Sequence, residues 1–176
     1  MKKSEIVSMP MFFDRYINQV EENDLFTAFY DSQKAIETID IHTLKKIGNK
    51  TYQSGKWTLH DIFQHVIDNE RIQSYRALRF ARKDPAILPG YDEQLFGKNA
   101  NASKREIEDI LEELITLRTS TIQLFKSFDE EAYQNTGICF NQNVSVLALG
   151  FVIIGHQKHH LNVIKEKYQP LIVEHK

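Results

Sequence analysis

The sequence predicts an all-α protein, a four-helix bundle, and three observations carry that prediction. Four long runs place apolar residues three or four apart, the spacing of one helical face. The 7 glycines and 4 prolines among the 176 residues fall mostly between those runs. No alternating apolar–polar segment is long enough to read as a strand. Four helices with one apolar stripe each have an economical solution in a bundle.

The first run, residues 12–38, reads as a short leading helix followed by a longer one. Leu25, Phe26, Phe29 and Ile36 form its inward stripe, and Asn23 is the break or N-cap between the pieces. Residues 41–57 contain Gly48, Asn49, Ser54 and Gly55 and read as a loop. The second run starts at Thr58, an apt N-cap with Asp61 three residues on. It continues to Lys83 and stops before Pro85. Its stripe is Leu59, Ile62, Phe63, Val66, Ile67, Ala77, Phe80 and Ala81. Residues 84–102 form a long connection, of the kind that serves as a lid or binding loop. The third run opens on a capping box of Ser103 and Glu106, and Ile107, Ile110, Leu111, Leu114, Leu117, Leu124, Phe125 and Phe128 mark its face. After a loop over residues 129–143, the fourth run spans 144–168 and is closed by Pro170.

Composition narrows the class. The length suits one domain over residues 1–176 with a core of its own. Lys and Arg number 22 against 24 Asp and Glu, a net charge of −2, which argues against a nucleic-acid or anionic-membrane surface. A basic cluster at Arg71, Arg76, Arg79, Arg82 and Lys83 has helical spacing and reads as a solvated face. The single cysteine, Cys139, lies between Ile138 and Phe140 and reads as a buried thiol. Neither the N-terminal segment nor the apolar stretch 144–155 has the form of a signal peptide or a membrane span, so the expected location is cytoplasmic.

The chemistry concentrates in the fourth run, in GHQKHHLNVI. Residues four apart on a helix lie one turn apart on one face, so His156 and His160 project together. Both sit on the stripe Leu149, Val152, Ile153, Val163, Ile164, where the pattern demands core residues. Two neutral imidazoles buried together need a partner, and imidazole is a common ligand of late first-row divalent ions. His159 shares its line with Asn162 and Glu166 and reads as a rim residue able to pass a proton. Glutamine stands where an HExxH protease would need its glutamate, and no Glu-x-x-His motif of a di-iron bundle occurs. A third ligand must come from another helix. His60 and His65 fall on opposite shoulders of the second stripe, and periodicity does not choose between them. His42 lies in the expected loop and His175 in a tail. Glu70, near the centre of the same stripe, either pairs with an arginine such as Arg118 or serves the site by orienting a ligand or holding a substrate group.

The segments GKWTLHDIFQHVIDNERIQSYRALRFAR (55–82), LPGYDEQLF (88–96) and GHQKHHLNVIKEKY (155–168) resemble the DinB-like proteins, near the YfiT and DinB branches, over about residues 20–168. The resemblance implies an up-down-down-up bundle and a metal triad of His65, His156 and His160, which settles the choice against His60. It also implies nickel or zinc as the ion, a homodimer, and metal positions open to water or substrate. The implied activities are bacillithiol-using S-transfer, mycothiol-dependent isomerisation and metal-dependent hydrolysis. The expectation is therefore an enzyme acting on a small molecule, with a low-molecular-weight thiol as co-substrate or with water. Glu70 and His159 are its expected catalytic residues, and Tyr91 and Asp92 its candidate substrate contacts. A metal-binding homodimer of the stress response, without turnover, is the alternative.

Overall fold

A computed structural model describes residues 1–172; His175 lies outside the described residues. Seven α-helices follow in order: α1 (Asp14–Ile17), α2 (Leu25–Glu37), α3 (Ile41–Ile47), α4 (Leu59–Ala81), α5 (Glu93–Asn99), α6 (Ile107–Lys126) and α7 (Val146–Val163). A hairpin of β1 (Thr136–Cys139) and β2 (Gln142–Ser145) precedes α7.

The four long helices α2, α4, α6 and α7 make the bundle, and named side-chain pairs give its topology. Glu70 meets Arg118 and Ser74 meets Thr121, so α4 and α6 run parallel. His65 meets His156 and His160, so the start of α4 lies against the end of α7 and the two are antiparallel. Phe29 packs on Phe125 while Ser32 accepts from Arg118, which sets α2 antiparallel to α6. The order is up-down-down-up. Because α2 and α4 each pack on both α6 and α7, they occupy opposite corners of the bundle.

Local chemistry explains the ends that matter. The Asp61 carboxylate accepts from the Thr58 backbone N–H at 2.9 Å, and the Thr58 hydroxyl accepts from Asp61 N–H at 3.3 Å, so the expected capping box opens α4. Ser145 caps α7 by accepting from Ala148 N–H at 3.1 Å. Every residue from Val146 to Gln157 is buried, because this helix is wrapped on all sides by α1, α2, α4 and the hairpin. No described helix is long and apolar enough to cross a membrane.

Several sequence expectations are corrected. Residues 41–47, expected in a loop, form α3, and His42 is on it. The cap between the first two helices is Asp24, which accepts from Phe26 and Thr27 N–H, and not Asn23. Ser103 does not cap α6: it lies in a 3-10 turn, Arg105 is extended, and Glu106 stands at the N-cap without a side-chain bond. The connection 84–102 carries α5, and the loop 129–143 carries most of the hairpin. The basic cluster is not all solvated: Arg76 is buried, Arg71 pairs with Glu113 and Arg79 with Asp84.

Candidate metal centre

The fold brings His65 near the N-terminal end of α4 against His156 and His160 near the C-terminal end of α7. His65 Nε2 lies 3.0 Å from His156 Nε2, and His160 Nε2 lies 3.2 Å from the same atom. One ring nitrogen from each histidine falls within 4.8 Å of the other two. His65 and His156 are buried and His160 is partly buried. His60, the sequence alternative, is not in this cluster, and its Nδ1 is buried without a hydrogen-bond partner among the described residues.

Burial is the main cause of the electrostatics here. It lowers the His65 pKa to about 4 and that of His160 to about 3, with neighbouring histidines adding to the effect. His156 is lowered furthest, by burial and then by His160 and His65. All three rings are therefore neutral near pH 7. Three neutral imidazoles can offer lone pairs to one point, but they cannot all satisfy one another through the single Nε2 of His156.

The donor set suits a divalent ion. Ligands at 2.0–2.1 Å in tetrahedral array stand about 3.3 Å apart, close to the 3.0 and 3.2 Å observed. Aromatic rings fix the imidazoles in place. Trp57 packs on His65 at 4.7 Å between centroids, and Tyr16 stands edge-on to His156 at 5.0 Å. Trp57 is itself held by Tyr168, whose hydroxyl donates to its carbonyl at 2.5 Å. The close approach of α1 that delivers Tyr16 depends on Gly155, where a Cβ would stand 2.0 Å from the Tyr16 carbonyl oxygen.

The remaining sequence candidates are placed as follows. His159 lies beside His160, at 5.1 Å between ring centroids, and both line a cavity of 270 Å³ with Tyr52, Trp57 and Gln94. Gln19 orients it. That amide accepts from Asn162 through Oε1 and turns its Nε2 to the Arg15 carbonyl and to His159 Nδ1, each at 3.3 Å. His159 Nδ1 is then the acceptor and Nε2 carries the proton. Of the two readings of Glu70, the pair with Arg118 is present: both carboxylate oxygens accept from the guanidinium, at 2.9 and 2.8 Å. Tyr91 and Asp92 line a second cavity of 310 Å³, where the Tyr91 hydroxyl accepts from Asn69. Asn69, Gln73 and Arg76 line it too and were missed by sequence reasoning, although they follow His65 at helical spacing.

Together these features define a helical bundle with a buried three-histidine donor set next to two cavities. A family model of the DinB superfamily matches residues 25–164, and the chain belongs to that superfamily. It is 25% identical over 126 residues to a protein of Oceanobacillus iheyensis provisionally named a metal-dependent hydrolase, covering 66% of this chain and 68% of that one. The solved structure of YfiT from Bacillus subtilis superposes with a TM-score of 0.65 at 16% identity, over 95% of this chain and 91% of that chain. It is described as having an unusual four-helix bundle topology and is likewise provisionally assigned as a metal-dependent hydrolase. At that identity the likeness speaks for the fold alone.

Proposed function

We propose that the chain is a metal-dependent enzyme that transfers a thiol to, or hydrolyses, a small molecule at His65, His156 and His160. The convergence of three neutral Nε2 atoms beside a cavity carries this reading. Nickel or zinc held there would supply Lewis acidity, lowering the pKa of a water or thiol brought to it. A purely structural ion would be closed by a fourth protein ligand. Among the described residues no further His, Cys, Asp or Glu joins the cluster, which favours an open position.

The chain's own groups then have distinct tasks. Trp57 and Tyr16 keep water from the buried side of the imidazoles and hold the rings in register. His159, at the cavity wall with its proton on Nε2, is placed to donate to a leaving group. Glu70 works as a positioning residue: its pair with Arg118 ties α4 to α6 a little over one turn beyond His65.

The test is elemental analysis of protein purified without a metal-affinity tag, beside His156→Ala and His160→Ala. About one nickel or zinc ion per chain, lost in both variants, is expected. Assays of the loaded protein with thiols and electrophilic acceptors, and with ester and amide substrates, then separate transfer from hydrolysis. Wild type that carries no metal and cannot be loaded with one would overturn the reading.

A further inference from the structure

Helix α4 carries a line of buried polar side chains that the reading above does not use. At about 100° and 1.5 Å per residue, Asn69, Gln73 and Arg76 continue the face of His65, with Arg76 about 16 Å along the axis. They are only 5%, 2% and 4% exposed. A buried guanidinium is ordinarily matched by a carboxylate, as Arg118 is matched here by Glu70. Arg76 is not. It donates to Gln73 Oε1 at 3.2 Å and to the Pro89 carbonyl at 2.8 Å, both neutral acceptors. Among the described residues it stands in no ion pair. The Asn69 amide is half used: Nδ2 donates to the Tyr91 hydroxyl at 2.9 Å, and Oδ1 is buried without a partner.

All three side chains line the 310 Å³ cavity, and that cavity borders the histidines. Its wall includes Tyr16, the ring that stands on His156, and Val152, one turn before His156 on α7. Gln94 lines both this cavity and the one at His160. Two acids also face it. Asp92 is engaged in capping α5 through Leu95 N–H, and Glu93, raised in pKa by burial, feels the Arg15 guanidinium as its nearest opposing charge. Neither pairs with Arg76. The exposed rings of Phe12 and Phe140 add an apolar rim.

We propose that this cavity binds an elongated small molecule whose carboxylate is held by Arg76 while its other end reaches the three histidines. Asn69 takes an N–H or O–H from the middle of that molecule. The reactive end of the assignment rests on the proposed function; the Arg76 end stands on its own. Arg76 would be a specificity residue, selecting substrates by charge and length.

Matched ligands test it by calorimetry. In metal-loaded protein, 8-mercaptooctanoate is expected to bind at least about tenfold more tightly than 8-mercapto-1-octanol, the scale of one charge-assisted hydrogen bond. In metal-free protein octanoate should exceed 1-octanol by a similar factor, which decides the Arg76 site even if no metal binds and the proposed function falls. Arg76→Gln removes the preference for the acid in both experiments without changing metal content. Should Arg76→Gln fail to fold, Arg76→Lys, which keeps the charge but loses the planar fork, is expected to weaken the acid and leave the alcohol unchanged. Equal binding of acid and alcohol by wild type, or a preference that survives substitution of Arg76, would overturn the proposal and leave Arg76 as a strut for the Pro89 loop.

Discussion

Arg118 and Glu70 are 0% and 2% exposed, so each charge depends on the other for the solvation it has lost. Removing one partner strands the other in a medium that cannot screen it, a loss of about 3–5 kcal/mol. Glu70→Gln is therefore expected to lower the urea midpoint by that order while metal content stays at the wild-type level. Loss of metal with stability intact would give Glu70 a direct part in the site. The histidines make the opposite case, groups held neutral by burial. His65 is lowered to about 4 when folded, against about 6.5 in an unfolded chain. The unfolded state takes up the proton first, so the stability of the metal-free protein is full above pH 6.5 and falls as the pH drops towards 4. Between pH 6.5 and 5 this one residue costs about 2 kcal/mol, at about 1.4 kcal/mol per unit. Thermal unfolding of metal-free wild type and His65→Gln across pH 7 to 5, above the ordinary carboxylate range, should show the steeper decline in wild type.

At the level of elements, the long helices were legible because their stripes repeat over several turns, and the stripe of α7 already placed His156 and His160 inside. Short elements carry too few repeats to declare themselves. Helix α3 has seven residues, and each hairpin strand has four. The hairpin also lacks a recognisable turn signal, since Phe140 and Asn141 take φ of 50° and 57° where Asn-Gly would be expected. The choice of His65 over His60 was hidden for a different reason: it depends on how α4 is rotated against α7, which neither helix's own periodicity records. Arg76 looked solvated because nothing local says that residues 84–102 fold back over it. Packing between elements also fixes the consequence of changing Gly155. An alanine there would drive its Cβ into the Tyr16 backbone, a strain of about 1–3 kcal/mol or more. Because α1 must move away, Gly155→Ala is expected to lose the Tyr16 contact with His156 and to release metal faster in a chelator chase. An unchanged release rate would mean that α1 plays no part in holding the site.

Across the whole molecule, the three histidines join elements that the chain separates widely, since His65 and His156 are 91 residues apart. An ion held there cross-links the start of α4 to the end of α7 and binds only the folded arrangement, so its binding energy adds to folding stability. At free metal about 1,000 times the dissociation constant the gain is about 4 kcal/mol. For a chain of 176 residues, each kcal/mol corresponds to roughly 2–4 °C, so saturating metal should raise the unfolding midpoint by about 8–16 °C. Differential scanning calorimetry with and without chelator measures this directly. The same chelator should leave the midpoint of His65→Ala nearly unmoved, because a pair of imidazoles on one helix no longer bridges two. A chelator effect of equal size in both proteins would place the ion elsewhere and separate the histidine cluster from metal binding.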